Sequence, residues 1–325
     1  MRNGSIRPEH AAASAASAAA QHPDARLTMI DVLFIGLSLG SILLLVALGL
    51  AITYGAMGVI NMAHGEMVMV GAYTTVMSSI WLGTGIIVAI PLAFIVTALL
   101  GLLIERVVVR RLYGRLLDTL LATWGIAILI QQAVRLEFGL TFLGIHIEGL
   151  GPGLQNVTVP QALQGAFNIG GVEINAYRSF IILVTIVFTV LTWAIMYRTS
   201  IGTQVRAIIR NRRMAAACGI DVDRANALTF AFGSGLAGVA GVMMSGFKTV
   251  FPDMGTSMVV DGFMVVVVGG VGSLMGSVLS AGILGEINGG VAAVTNDILA
   301  RAVVFGIVIL IIIFKPKGLF AFKER

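Results

Sequence analysis

The chain has 325 residues, of which 58% are hydrophobic and only 11% are charged, whereas a soluble domain carries about 25% charged residues. This composition excludes a soluble globular protein, and apolar runs of about 18 residues or more recur too often for a single membrane anchor. The net charge of +5 is concentrated in a few loops, which indicates membrane topology rather than nucleic-acid binding. The sequence therefore predicts an all-α, polytopic helical membrane protein.

The first 28 residues form an Ala- and Ser-rich tail, for which the sequence predicts disorder. The tract from Ala11 to Ala20 is weakly apolar and lacks a convincing cleavage boundary after it, so a signal peptide is not predicted. Met29 stands directly before the first hydrophobic run, which leaves Met1 and Met29 as alternative start sites. Residues 29–325 are predicted to form one transmembrane domain.

Hydrophobic segments predict about eight transmembrane helices, with re-entrant or broken helices among them. These segments are residues 30–53, 58–80, 84–104, 117–135, 179–197, 225–247, 258–290 and 297–314. The segment 58–80 either spans the membrane or re-enters. The segment 258–290 is too long for one crossing and contains Gly269, Gly270 and Gly272, which predicts two short crossings or one crossing plus a re-entrant piece.

Two arginine-rich loops, residues 105–115 and 198–224, are predicted to lie in the cytoplasm because positive loops favour the inner side. The segment 136–178 carries more acidic than basic residues and is predicted to face outward. The tail from Lys315 onward is predicted to be cytoplasmic as well.

Small residues repeat at helical spacing within the segment 225–247. They are Gly233, Ser234, Gly235, Gly238 and Gly241. Small residues let membrane helices approach closely, so this helix is predicted to pack against several others.

Polar residues interrupt the hydrophobic sequence at Asn61, His64 and Glu66. A central acidic residue facing lipid costs roughly 2.5–3.5 kcal/mol, so these side chains should face protein or water. Three interpretations remain open: bonds that hold a break in the helix, a substrate path that also includes Tyr54, or a proton relay. The two-residue spacing of His64 and Glu66 does not suit zinc, and no metal site is predicted.

The loop 198–224 has more than positive charge. A short amphipathic helix bounded by Gly202 and Gly219 is predicted, and such a helix is typical of a docking element for a cytosolic partner; charge alone is the alternative explanation. No nucleophile or acid–base constellation accompanies the four histidines, so no enzyme is predicted. The glycines at 269, 270 and 272 lack the lysine of a phosphate-binding loop and are interpreted as a helix break or hinge.

Three groups of motifs resemble the permeases of branched-chain amino acid type ABC importers. The first group comprises residues 49–55, 57–66 and 71–73; the second comprises Arg206, Ala207, Asn211, Arg212, Met214, Ala215, Gly219 and Ile220; the third comprises 269–273 and 315–320. They occur in the same order as in that family, and the resemblance covers residues 30–322.

The resemblance implies a bacterial inner-membrane permease that works with a second homologous permease, two cytosolic ATPases and a periplasmic substrate-binding protein. ATP and magnesium would bind the ATPases, and no cofactor or nucleic acid would bind this chain. Arg206, Asn211 and Arg212 would take part in coupling to the ATPases. Asn61, His64 and Glu66 would shape or line the path.

The substrate expectation rests on finer resemblance. Residues 57–62, 118–125, 131–132 and 263–270 look closer to the permease subunit for urea and short amides than to the branched-chain amino acid subunit. Urea or a short amide is therefore the expected substrate, with branched-chain amino acids as the alternative. A proton-coupled secondary transporter is the alternative of another class.

Overall fold

The computed structural model describes residues 29–135, 153–169, 172–316 and 318–320. The predicted N-terminal tail and part of the predicted outward segment, residues 136–152 and 170–171, lie outside the described residues. The described chain is almost entirely helical, as the composition predicted, with one short antiparallel strand pair.

The helices and strands follow one another in this order: α1 (Met29–Met57), α2 (His64–Leu82), α3 (Ile86–Val107), a 3-10 turn (Val109–Leu112), α4 (Leu116–Arg135), α5 (Gln161–Gln164), β1 (Ala166–Ile169), β2 (Val172–Asn175), α6 (Ala176–Arg198), α7 (Ser200–Arg210), α8 (Arg212–Ala217), α9 (Val222–Ser245), α10 (Met254–Gly269), α11 (Leu274–Val294) and α12 (Asp297–Phe314). In the strand pair, Ala166 lies opposite Asn175.

Seven of the described helices, α1, α3, α4, α6, α9, α11 and α12, are long and apolar enough to cross a membrane. The apolar helix α10 has 16 residues, about 24 Å at the usual helical rise, which is less than the roughly 30 Å of a bilayer core. This arrangement confirms a polytopic helical membrane protein with broken helices.

The predicted break within 258–290 lies between α10 and α11. Gly270 and Gly272 have φ angles of 92° and 77°, a region that residues with a Cβ rarely adopt. The Ser273 hydroxyl then accepts a 3.0 Å hydrogen bond from the Gly276 amide and caps α11. The segment is therefore two helices whose ends are set by local sequence.

Helix α9 lies at the centre of the described helices. Of the 18-residue apolar stretch of α9, 83% is buried inside the protein. Its small residues face α1, α2 and α3, as the spacing predicted. A Cβ at Gly233 would lie 2.8 Å from the Gly49 carbonyl oxygen of α1, and a Cβ at Gly241 would overlap the Val68 carbonyl of α2. Backbone-to-backbone packing around α9 thus fixes the relative positions of the helices that carry the candidate site.

Candidate functional site

The polar stretch after α1 forms a non-helical link to α2. Gly58 has a φ of 64°, and its amide donates to the Tyr54 carbonyl at 2.8 Å. The Asn61 side chain accepts a 3.1 Å hydrogen bond from the Ala63 amide, and the Met62 amide donates to Thr123 Oγ1 of α4 at 3.1 Å. The link is therefore held by its own side chains and by α4.

His64 begins α2 and is completely buried. Its Nε2 lies 3.2 Å from the Val46 carbonyl oxygen of α1, and since a carbonyl only accepts, Nε2 carries the proton in this contact. The ring packs on Gly49, where a Cβ would lie 2.8 Å from His64 Cε1. This arrangement joins α1 to α2.

Glu66 is buried between α2, α4 and α10. Its Oε1 accepts a 2.9 Å hydrogen bond from Gln131 Nε2, which also donates to Thr256 Oγ1 at 2.9 Å. Oε2 has no hydrogen-bond partner among the described residues. Near this contact, the Arg135 guanidinium donates to the Asp253 carboxylate at 2.5 Å. Polar contacts thus join the end of α4 to α2 and α10.

A cavity of about 210 Å³ lies next to the link. Its lining combines α1, the link, α4 and α10: Leu50, Tyr54, Val59, Ile60, Asn61, Met62, Leu120, Val259, Val260, Phe263 and Val266. Among the predicted path residues, Tyr54 and Asn61 line this cavity, whereas His64 and Glu66 do not. The wall is almost wholly apolar, so it suits an aliphatic group. We name this space the apolar cavity.

The segment from Gly202 to Gly219 differs from its predicted form, because the single predicted amphipathic helix is two helices, α7 and α8. Asn211 separates them: its backbone is extended, and its side chain accepts a 3.0 Å hydrogen bond from the Met214 amide to start α8. Gly202 lies inside the first turn of α7, which Thr199 caps. Gly219 follows α8 with a φ of 83°, as expected of a helix stop.

Two predicted coupling arginines stack on aromatic rings. The Arg206 guanidinium lies 4.8 Å from the Tyr197 ring centroid, and that of Arg212 lies 4.6 Å from the Tyr113 centroid. Ala207 packs with a small buried cluster around Ile208 that also includes residues of α8 and α9. These ring contacts and the buried cluster therefore hold α7 and α8 against the rest of the described chain.

Sequence reasoning missed Tyr113 and Glu105. The Tyr113 hydroxyl donates a 2.6 Å hydrogen bond to Glu105 Oε1, and Glu105 is fully buried at the end of α3. Burial and the Glu105 acceptor raise the pKa of the Tyr113 hydroxyl well above its ordinary value, so this group stays a neutral donor. An acidic residue beginning an otherwise basic loop was the available signal in the sequence.

The glycines of the predicted hinge lie beside the end of α1. A Cβ at Gly55 would lie 3.2 Å from Gly272 Cα, and a Cβ at Gly269 would lie 2.6 Å from the Gly276 carbonyl carbon. The Leu319 amide donates to the Val268 carbonyl at 2.8 Å. The α10–α11 break therefore contacts α1 and the C-terminal segment, while its role as a hinge stays a prediction.

Within the described residues, no group of three or more His, Cys, Asp or Glu side chains could hold a metal ion. The buried polar side chains described above are instead engaged with backbone and neighbouring helices.

Comparisons with known proteins give matches over most of the chain. A family model described as the permease component of the branched-chain amino acid transport system matches residues 32–313. The high-affinity branched-chain amino acid transport system permease protein BraD of Pseudomonas aeruginosa is 31% identical over 304 residues, covering 89% of this chain and 94% of that protein. The permease protein LivH of Escherichia coli, from a transport system of the same description, is 30% identical over 314 residues, covering 92% and 97%.

A more distant match is the ribose import permease protein RbsC of Bacillus subtilis, which is 30% identical over 129 residues and covers 38% of this chain. No solved structure gives a significant match.

Proposed function

The chain belongs to the permease-component family of the branched-chain amino acid transport system, and from this premise we propose that it forms the path for branched-chain amino acids in an inner-membrane ABC importer. The comparisons favour this substrate class, the alternative drawn from the sequence, over urea and short amides, which they do not support.

The apolar cavity is the observation that carries the substrate proposal. Urea is small and polar, so its path needs hydrogen-bonding groups, whereas an aliphatic side chain is stabilised by apolar walls. Leu50, Val259, Val266 and their neighbours supply such walls, and Asn61 adds one polar side chain. The lining of the apolar cavity therefore favours a substrate amino acid with a branched aliphatic side chain.

The site residues take different roles in this proposal. Tyr54 and Asn61 line the path directly, while His64 and Glu66 hold α2 against α1, α4 and α10 and so position the link that forms one wall. The break at Gly270 and Gly272 would let α10 move relative to α11 when the path opens.

Coupling would act through α7 and α8. We infer that a second homologous permease, two cytosolic ATPases that bind ATP and magnesium, and a periplasmic substrate-binding protein complete the importer. Closure of the ATPases would shift α7 and α8 between two positions. Arg212, stacked on Tyr113, and Tyr113, bonded to Glu105, provide a chain of contacts from α8 to α3.

The test is uptake and ATP hydrolysis by the complex reconstituted in proteoliposomes with its binding protein. Leucine, urea and acetamide are compared in parallel. We expect leucine alone to be accumulated and to stimulate ATP hydrolysis. Stimulation by urea or acetamide but not leucine would refute the substrate proposal, and leucine uptake driven by a proton gradient without ATP would refute the importer mechanism.

A matched pair of variants examines the apolar cavity in the same assay. Val266→Phe places a ring in the cavity from a buried position, whereas Val303→Phe adds the same ring on the exposed face of α12. We expect the first variant to reduce leucine uptake and the second to leave it unchanged. Equal leucine uptake by both variants would show that the apolar cavity is not part of the transport path.

A further inference from the structure

A second cavity, of about 230 Å³, shares no lining residue with the apolar cavity. It is bounded by the start of α6, by Ser38 of α1, by the segment around α5 and by the end of α9. Its lining residues are Ser38, Val159, Leu163, Gln164, Asn175, Tyr177, Arg178, Ile181, Gly246 and Phe247. We name it the α6 cavity.

Arg178 provides the positive charge of the α6 cavity and is half-buried there. Its Nη1 donates a 2.8 Å hydrogen bond to Ser38 Oγ, which uses one of the five N–H donors of a guanidinium. Ion pairs elsewhere in the described chain engage Arg110, Arg115, Arg135 and Arg301. None of these pairs includes Arg178; the side chain of Glu173, five residues earlier, lies outside the described part of the chain.

The other polar groups at the α6 cavity are already bonded within the protein. The Tyr177 hydroxyl donates to the Met243 carbonyl at 2.8 Å. The Asn175 side chain accepts from the amides of Tyr177 and Arg178 at 2.9 and 3.3 Å. Gln164 Nε2 donates to the Val159 carbonyl at 2.5 Å. Arg178 is therefore the described lining residue with the largest unused capacity for a ligand.

Apolar side chains form the remaining wall. Val159, Leu163, Ile181 and Phe247 face the cavity from three different elements, and Ile181 lies one turn after Arg178 on the same side of α6. A ligand that matches both the Arg178 guanidinium and this apolar wall carries one negative group and a short aliphatic chain. The volume is below that of pockets for drug-sized molecules, which are about 300–1,000 Å³, so the ligand should be small.

We propose that the α6 cavity binds a short aliphatic carboxylate, the class that includes aliphatic amino acids, with the carboxylate on Arg178 and the aliphatic chain against Leu163 and Ile181. A guanidinium and a carboxylate match in planar, two-bond geometry, and such charge-assisted hydrogen bonds are among the stronger ones in proteins. This site is separate from the proposed path, and its binding needs neither ATP nor the partner subunits.

The test is binding to the full chain in lipid nanodiscs, measured by calorimetry. The probes are leucine, 4-methylpentanoate and the neutral 4-methylpentan-1-ol. We expect the two carboxylates to bind and the alcohol to fail. Arg178→Gln should weaken carboxylate binding roughly 10-fold or more, and Arg198→Gln, at the other end of α6, should leave it unchanged. Equal binding by wild type and Arg178→Gln, or no saturable binding by wild type, would overturn the proposal.

Two further variants keep the result interpretable if Arg178→Gln folds poorly. Leu163→Phe should fill the α6 cavity and weaken binding with Arg178 intact, and Arg178→Lys should retain part of the affinity because it keeps the charge. Val266→Phe, which fills the apolar cavity, should not change the affinity, so failure of the transport path and failure of this site give different results. Binding that is lost in Val266→Phe and kept in Leu163→Phe would overturn the assignment.

A lipid phosphate is the other anion available at a membrane surface. Native mass spectrometry of the same samples distinguishes it: we expect 4-methylpentanoate adducts that depend on Arg178. Retention of a phospholipid that depends on Arg178 and that the carboxylates do not displace would refute the carboxylate ligand.

Discussion

The side-chain amide of Gln131 donates a 2.9 Å hydrogen bond to the buried Glu66 carboxylate, across 65 positions of sequence. The same nitrogen also donates to Thr256 Oγ1. These hydrogen bonds connect helix α4 to α2 and α10. Only 22% of the 18-residue apolar stretch of α4 is buried inside the protein. These three helices also line the apolar cavity or anchor its wall, so this single amide helps to define the proposed path.

Replacing Gln131 by leucine removes both hydrogen bonds. The buried Glu66 carboxylate would then have no described hydrogen-bond partner for either oxygen. Leaving a buried polar group unsatisfied lowers the free energy of unfolding by about 1–3 kcal/mol. We expect Gln131→Leu to lower the thermal unfolding temperature of the protein in detergent and to reduce leucine uptake.

Gln132→Leu is the matched control. Gln132 is exposed, and replacing it makes the same change of side chain one position away on α4. We expect wild-type unfolding and uptake for this variant. Equal destabilisation by the two substitutions would show that apolar substitution near the end of α4, rather than the bond to Glu66, causes the effect.

Arg212 stacks on Tyr113, and this contact gives a second prediction. Arg212→Gln removes a cation–π interaction worth about 0.5–1 kcal/mol at a partly exposed site. If α8 transmits motion to α3 through Tyr113, leucine-stimulated ATP hydrolysis should fall roughly two- to fivefold, with complex assembly unchanged by size-exclusion chromatography.

The neighbouring Arg213 is exposed and makes no described ring contact. Arg213→Gln removes the same charge from α8 and should retain wild-type coupling. A loss of activity in both variants would indicate that net charge, and not the stack on Tyr113, governs coupling.

Local features of the fold were predictable from sequence because they depend on residues close together in the chain. Gly270 and Gly272 predicted the break between α10 and α11 through their backbone freedom, and the spacing of Gly233 and Gly241 predicted close packing of α9. The split of α7 from α8 was missed, because the predicted helix from Gly202 to Gly219 ran through Asn211, whose short amide favours a helix start.

Features that join distant elements were not predictable. The burial of His64 against Val46 and the bond from Gln131 to Glu66 depend on how the helices are placed beside one another, which no local pattern specifies. Asn61, His64 and Glu66 therefore formed one candidate group in sequence, whereas the structure places Asn61 at the cavity and the other two at helix contacts.

Gly241 gives a third prediction, which concerns stability. Because a Cβ there would overlap the Val68 carbonyl of α2, Gly241→Ala must push α9 and α2 apart, and overpacking typically costs about 1–3 kcal/mol. Gly125→Ala in α4 is the control, since open space surrounds that position and alanine favours a helix by up to about 1 kcal/mol. Thermal unfolding should show a lower midpoint for Gly241→Ala and an unchanged or higher one for Gly125→Ala; the reverse order would contradict the packing around α9.

Gly219 ends α8 in the left-handed region, and a Cβ there would meet no other atom within 4 Å. The cost of Gly219→Ala is therefore one of backbone conformation alone, about 1–2 kcal/mol, whereas Gly219→Asn should cost less because asparagine adopts this region more readily. The strain should open the turn held by the 3.1 Å hydrogen bond from the Ile220 amide to the Ala215 carbonyl. We expect faster hydrogen–deuterium exchange at Ile220 and weaker leucine-stimulated ATP hydrolysis in Gly219→Ala, with Gly219→Asn between it and wild type. If alanine and asparagine behave alike, the left-handed backbone at Gly219 is not what sets the position of α8 beside α9.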